Sequence, residues 1–412
     1  MSSSKFVRLH DLMNTCVHLS QRATNVLKQQ VYHENNFNIV QKGMCANDVY
    51  TELDLQIQKT IHYNLKQLYP RAKIICEEEE SSIDENIKPS IMPDELLRMR
   101  NKQKIFSADI LLNSASVRRL QYLKYLEDLL SFNYDFLRAD DVKRGLDDIY
   151  NNEVLEKDLT FWIDPLDGSK GLVEGHTEHI TTIIGVCIKN RPILGIVHKP
   201  FSGDALSFQS GKSYVGLPQC GLFTVLQKIQ TDFENFENFT LHVPPFSRDE
   251  NIDRHLFQPK ICGSHNRNQD EMDKLIYATN PQRIERVAGS ANKFVHMVEG
   301  QSDFYMNFVP GFKFWDMCGS EAILASRFGI LTDAQKRPIF YEPNMHPTIK
   351  DGLIAAKNKS IYKLCEHRIE RFTRMSLEQN HQRIQLQALE SKRIRQELQE
   401  LDQQQQNIKS LI

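Results

Sequence analysis

The apolar run Phe161-Trp162-Ile163 ends in Asp164-Pro165-Leu166-Asp167-Gly168-Ser169, and this junction constrains the chain more than any other stretch. Three such residues read as a buried strand, yet two carboxylates cannot follow them into a core without partners. Proline fixes φ and Asp-Gly favours a turn, so one reading is a turn at a strand end. The other is a metal site, with both carboxylates aimed at one cation. The stretch alone leaves both open.

The surrounding pattern interleaves helices with strands. Leu9, Leu12, Met13, Cys16, Val17, Ala23 and Leu27 recur at helical spacing, as do Leu53, Ile57, Ile61, Leu65 and Leu68 ahead of Pro70. Ala72–Cys76 is a short apolar strand running into Glu77, Glu78, Glu79 and Glu80. Thr181–Cys187 and Pro192–His198 flank a polar Lys-Asn-Arg turn and predict a hairpin. Lys293–Gly300 and Cys318–Phe328 read as helices, and Phe304–Phe308 as a strand. This alternation predicts an α/β layered fold with mixed sheets. Two segments look like additions. In 81–158, Val117, Leu120, Leu123, Leu126 and Leu130 predict one helix packed on the body. Phe132, Tyr134 and Phe136 argue for order in its second half. The tail from about Glu366 is rich in Gln, Arg and Glu, with Gln403–Gln406 as a low-complexity run. Ile394, Leu398, Leu401 and Ile408 offer only about two heptads, short of a coiled coil. A solvated helix and a self-association helix over 377–412 both stay open.

A formal net charge of −2 over 412 residues draws the chain to neither nucleic acid nor an anionic membrane. Any anion must be held locally. Eight cysteines without a CxxC pair are expected to be reduced thiols. With no apolar run near about 20 residues and no apolar N-terminal leader, a soluble, cytoplasmic protein is expected.

Carboxylates stand at four element boundaries: Asp48, Glu77, Asp164 with Asp167, and Asp316. Singly, each has a structural reading. Asp48 and Asp316 can cap helices, and Glu77 can be one solvated member of an acidic run. Together they weigh otherwise, because two strands, AKIIC-Glu77 and FWI-Asp164, would open into a common cleft. Hard divalent cations such as Mg²⁺ take oxygen ligands, commonly one or two carboxylates with water and substrate phosphate. Such a cluster suits phosphoryl transfer.

WIDPLDGS, the acidic run after a strand, and WDMCGSEAILASRFGILTD resemble the lithium-sensitive, Mg²⁺-dependent phosphatases of the inositol monophosphatase superfamily. The resemblance covers most of 6–358 outside the 81–158 insertion, and implies the α-β-α-β-α sugar-phosphatase-like fold. Residues 1–240 would form a metal-binding domain, 241–360 a substrate-recognition domain and 361–412 a helical tail. DPLDGSKGLVEG, CGSHN and AGSANK are most similar to 3′(2′),5′-bisphosphate nucleotidases. Inositol polyphosphate 1-phosphatases are the nearer rival, and a non-catalytic relative acting in protein association is a third reading.

The resemblance implies two to three Mg²⁺. Glu77, Asp164 and the Leu166 carbonyl would hold one, and Asp164, Asp167 and Asp316 a second. Asp48 and the Ser169 hydroxyl, supported by Thr51, would activate the attacking water. Ser169 stands where the family usually has Thr. Gly168, Cys262, Ser264, His265, Ser290 and Lys293 would contact a small phosphorylated substrate. A Gly-Ser loop opening a helix at GSANK would offer free N–H groups to a phosphate, although an ordinary helix start explains it equally. Cys262 stands where nucleotidases often have Thr, and Cys76 where they usually have Gly.

Overall fold

Thr181–Ile188 and Arg191–Lys199 form the expected hairpin. Lys189 and Asn190 close it at φ 49° and 63°, the left-handed pair that matches strand twist in two-residue hairpins. The computed structural model describes residues 5–33, 39–41, 49–78, 87–130, 152–202, 210–229, 236–246, 252–264, 269–376 and 378. Asp48, Phe132, Tyr134, Phe136, His265 and nearly all of the tail, Gln403–Gln406 included, lie outside them.

The hairpin is the middle of a seven-stranded sheet ordered 236–243, 221–229, 210–217, 191–199, 181–188, 159–167 and 73–76. Its pairs are antiparallel except Lys73–Cys76 beside Leu159–Asp167, which run parallel. Both carboxylate-ended strands therefore finish at the same edge. A five-stranded sheet follows, ordered 283–287, 260–264, 304–307, 353–356 and 330–333.

Three cores hold five layers together, the second of them enclosing the middle layer. Helices Leu9–Ala23 and Glu52–Leu68 pack Leu12, Met13, Ile57 and Ile61 onto one face of the first sheet. Thr24 interrupts the first helix, so Leu27 belongs to a second one, Asn25–His33. Helices Ser290–Val298 and Phe314–Ala325 fill the space between the sheets, with Phe294 and Met317 fully buried. A third core, with Ile276, Tyr362 and Cys365, covers the outer face of the second sheet. This is the expected α-β-α-β-α order.

Close approach of the central helix depends on a lane of glycines. Gly185 pairs with Gly195 and Gly195 with Gly216 across three strands. A Cβ on Gly185, Gly195 or Gly216 would lie 2.5 Å from Cys318 Sγ, 2.2 Å from the Gly319 oxygen or 2.6 Å from Ile323 Cα, respectively. The sheet thus has a smooth track where Phe314–Ala325 lies almost on its backbone, and this seats Asp316 against the carboxylate-bearing strand.

The insertion holds the expected helix, Ala108–Leu130, and of the expected positions Leu123 and Leu126 pack, partly buried, against the third core, but the fully buried face is a different one. Val117 and Leu120 are 80% and 81% exposed, whereas Leu111, Ala115, Arg118, Tyr122, Tyr125 and Leu129 are buried. Spacings of 4, 3, 4, 3 and 4 make a full helical stripe that the leucine pattern alone missed, because its members include Arg and Tyr, which bury stems and rings while placing polar tips. The Arg118 guanidinium donates to the Ser326 carbonyl at 2.6 Å and lies over the Phe328 ring. The helix straps the first core to the third. Among the described residues no helix is long and apolar enough to cross a membrane.

One buried cation has an unusual setting. Lys28 is fully buried, its ammonium donating to Gln227 Oε1 at 3.1 Å. No carboxylate pairs with it among the described residues, and burial pushes its pKa down to about 7. An unfolded Lys titrates near ~10.4, so the unfolded chain binds the extra proton between the two values. Stability from this group is lost below pH 7 and rises as pH climbs from 7 toward 10, by at most about 1.4 kcal/mol per pH unit. Lys28→Met should raise the urea midpoint at pH 7 and flatten that climb. A variant with the wild-type pH profile would contradict the assignment.

Candidate active site

The strand Leu159–Asp167 carries the first motif through a register irregularity between Asp164 and Asp167. Pro165 lies inside this bulged strand end, and Gly168, at φ 87°, makes the turn. A Cβ there would meet the His179 carbonyl oxygen at 2.8 Å, so glycine is required both for conformation and for space. Asp164 Oδ1 accepts the Leu166 N–H at 3.0 Å. The Thr182 hydroxyl donates to the Pro165 carbonyl at 2.8 Å, and Ser169 Oγ to the Leu166 carbonyl at 3.1 Å. The loop is thus tied down before any ligand arrives.

Glu77 follows its strand directly and donates its N–H to the Ile163 carbonyl at 3.0 Å, continuing the parallel ladder. This brings Glu77 beside Asp164. Asp316 arrives from the opposite layer in the first turn of Phe314–Ala325, where its Oδ2 accepts the Lys313 N–H at 2.8 Å. The capping role and the site role therefore coexist in one side chain. Asp164 is 2% exposed. Burial first, then the charges of Glu77, Asp167 and Asp316, hold its carboxyl well above the usual carboxylate range. Carboxylates from three chain segments thus lie close enough to act on Asp164.

Asp167 has work that sequence reasoning missed. Its Oδ1 accepts the Ser290 N–H at 2.8 Å, and its Oδ2 accepts the Ala291 N–H at 2.9 Å and the Thr181 hydroxyl at 3.0 Å. It caps the helix Ser290–Val298 from across the molecule. The free N–H groups expected at GSANK are therefore already used by a carboxylate, and a phosphate cannot take those two donors while Asp167 holds them. Gly289, at φ 78°, has no room for a side chain, since a Cβ there would lie 2.9 Å from the His179 carbonyl oxygen. No local pattern could reveal this, since Asp167 and Ser290 are 123 residues apart.

The expected substrate contacts separate into two groups. Ser264 ends the strand Lys260–Ser264 and its hydroxyl lies 3.2 Å from the Tyr305 hydroxyl. Lys293 donates its ammonium to the Gly289 carbonyl at 2.5 Å and lies near the Tyr305 ring. Ser290 Oγ is buried without a hydrogen-bond partner among the described residues. These three lie around the start of one helix. Cys262 does not join them. It is fully buried in the core between the sheets, and burial pushes its thiol up to about 12. A substrate contact through the Cys262 side chain is excluded by its full burial in mid-strand, beside Tyr305 on the neighbouring strand. Thr51 ends the strand Val49–Thr51.

The four carboxylates fit a hard divalent cation. The donor set is oxygen only, and the buried member is destabilised by its neighbours' charge, which a cation would relieve. Glu77, Asp164, Asp167 and Asp316 would hold it.

Fold and site together define a layered phosphatase of the sugar-phosphatase-like class. The sequence profile of the inositol monophosphatase family matches residues 8–99 and 129–372, and the chain belongs to that family. The profile leaves out 100–128, which holds most of the helix Ala108–Leu130, and everything after 372. Among curated proteins, the chain is 25% identical over 362 residues to 3′(2′),5′-bisphosphate nucleotidase 1 of Rattus norvegicus, covering 86% of this chain and 93% of that one. It is 22% identical over 357 residues to putative inositol monophosphatase 3 of Drosophila pseudoobscura pseudoobscura, covering 86% and 79%. Among solved structures, extragenic suppressor protein suhB of Bartonella henselae superposes with a TM-score of 0.53 at 14% identity, covering 87% of this chain and 98% of that one. An inositol monophosphatase of Thermotoga maritima superposes at 0.50 and 15% identity, covering 88% and 99%.

Proposed function

We propose that the protein is a Mg²⁺-dependent phosphatase removing the 3′-phosphate of adenosine 3′,5′-bisphosphate to give AMP and phosphate. The observation that carries this reading is the convergence of Glu77, Asp167 and Asp316 on the buried carboxylate of Asp164. Similarity to a bisphosphate nucleotidase over 86% of the chain supports the substrate. Mg²⁺ bound there would polarise the phosphoryl oxygens and stabilise the leaving alkoxide. Asp48 and Ser169, with Thr51, orient a water on the face of phosphorus opposite the ribose 3′-oxygen. Asp48 takes the proton from that water as the new P–O bond forms, the P–O3′ bond breaks with its electron pair on the 3′-oxygen, and the alkoxide so released takes a proton from solvent water to become the hydroxyl. Ser264, Ser290 and Lys293, with His265, recognise the nucleotide and its second phosphate, Lys293 as a point charge. In this reading residues 1–240 carry most of the metal ligands, 241–360 contribute Asp316 and the substrate contacts, and 377–412 is a candidate for self-association.

Phosphate release with Mg²⁺, compared among adenosine 3′,5′-bisphosphate, inositol 1,4-bisphosphate and inositol monophosphate, tests this. The nucleotide should be turned over at least ~10-fold faster, the discrimination that about 1.4 kcal/mol confers, and Li⁺ should inhibit. Preference for an inositol phosphate would overturn the substrate, and no release from any would overturn the enzyme.

A further inference from the structure

Immediately after the first motif the chain reads Gly175-His176-Thr177-Glu178-His179, and the structure folds these residues into a second possible ligand set. A 3₁₀ turn over Thr177–His179 follows the short helix Ser169–Val173. The backbone is pinned at both ends: His176 N–H donates to the Gly171 carbonyl at 2.7 Å, and Ile180 N–H to the Thr177 carbonyl at 3.2 Å. One ligand atom from each of His176, Glu178 and His179 lies within 4.8 Å of the others. His176 Nδ1 is 3.5 Å, and His179 Nε2 3.6 Å, from the same Glu178 Oε1. A tetrahedral Zn²⁺ with bonds near 2.0–2.2 Å places its ligands roughly 3.3–3.6 Å apart, so two of the three edges already have that length.

We propose that His176, Glu178 and His179 form a binding site for Zn²⁺, or a cation of the same borderline type, separate from the carboxylate cluster. Two imidazoles and one carboxylate are a zinc donor set with the fourth position open, whereas the oxygen-only cluster suits Mg²⁺. The side chains of His176 and Glu178 are 58% and 62% exposed and that of His179 29%, so a cation enters from solvent and exchanges with it. The site is placed to affect catalysis. The His179 carbonyl lies against both Gly168 and Gly289 and accepts Asn292 Nδ2 at 2.5 Å, while Lys199 donates to Asn292 Oδ1 at 2.7 Å. Fixing His179 therefore stiffens the wedge between the DPLDGS turn and the helix Ser290–Val298.

The test is a Co²⁺ titration of the full chain with Mg²⁺ in large excess, read by the visible absorption of tetrahedral Co²⁺. The wild type should gain one equivalent of such absorption, Zn²⁺ should erase it, and H176A/H179A should bind Co²⁺ at least ~100-fold more weakly, losing two of three protein ligands. Because the His176 imidazole is mostly exposed and the contacts of His179 with Gly168, Gly289 and Asn292 run through its backbone carbonyl, the double variant should stay within a few degrees of the wild-type melting temperature in EDTA. Asp164→Asn should retain the absorption. No absorption in the wild type, its survival in H176A/H179A, or its loss in Asp164→Asn would each overturn the proposal, the last by tracing the ion to the carboxylate cluster. The readout does not depend on which phosphate ester the enzyme hydrolyses.

Discussion

Asp164→Asn should abolish Mg²⁺-dependent phosphate release while making the metal-free protein more stable. Both halves follow from one geometry. Asp164 is the buried member of the cluster, and burial together with Glu77, Asp167 and Asp316 disfavours its charged form. Replacing it by an amide of the same shape keeps an acceptor for the Leu166 N–H and removes the charge on which the repulsion converges. In EDTA the variant should be more stable by roughly 2 kcal/mol, the scale of a few such interactions at the effective dielectric of a partly hydrated site. The sign with pH agrees: a carboxyl whose folded pKa is raised destabilises the fold at neutral pH, and this cost fades as pH falls through the raised value. The wild-type advantage of low pH in EDTA should therefore shrink in the variant. Mg²⁺ should raise the wild-type melting temperature and leave the variant nearly unmoved. Turnover should fall by more than ~10²-fold, because losing a ligand exceeds the 10–100-fold effect of losing a ligand's outer partner. A variant that keeps wild-type turnover would refute the metal assignment, and one that melts lower in EDTA would refute the electrostatic account.

Glu321→Ala should cost about 3–5 kcal/mol of stability, the scale expected for breaking a buried ion pair. Glu321 is 2% exposed and lies five residues after Asp316, on the helix that rides the glycine lane. It pairs with the Arg191 guanidinium, which also donates to the Ile339 carbonyl, and accepts the Tyr341 hydroxyl at 2.7 Å. Truncation leaves an Arg charge mostly enclosed and a fully buried phenol without its acceptor. Glu321→Gln keeps the acceptor for Tyr341 and should cost clearly less. Urea midpoints of the two variants measure the difference. Equal costs would show that the charge paired with Arg191 carries the whole effect and the acceptor for Tyr341 none of it, and a cost below about 0.5 kcal/mol for Ala, typical of surface changes, would show that the clamp is immaterial. Since Glu321 does not touch the carboxylate cluster, either variant that folds should keep the wild-type dependence on Mg²⁺.

Glu321 also shows where a motif outruns local reasoning. The stretch Trp315-Asp316 to Glu321 resembles a family pattern, yet nothing in its spacing says that Asp316 faces the site while Glu321 holds Arg191. The helix decides: five residues apart, the two carboxylates leave it in different directions. The DPLDGS stretch was legible in the same limited way. Its strand, its turn and its chemistry could be read from residue types, whereas Asp167's capping of a helix 123 residues later could not.

By itself the sequence determined several of the helices and strands, the hairpin turn, and the oxygen-rich chemistry of Glu77, Asp164, Asp167 and Asp316, because periodicity, turn preferences and ligand type are local properties. Only the tertiary structure decided which face of Ala108–Leu130 is buried, that Cys262 is core, that Thr181 and the Ser290 and Ala291 N–H groups belong to Asp167, and that His176, Glu178 and His179 converge. Each of these depends on which surfaces meet, and meeting is set by cross-strand register and by the close passage of one helix over three paired glycines.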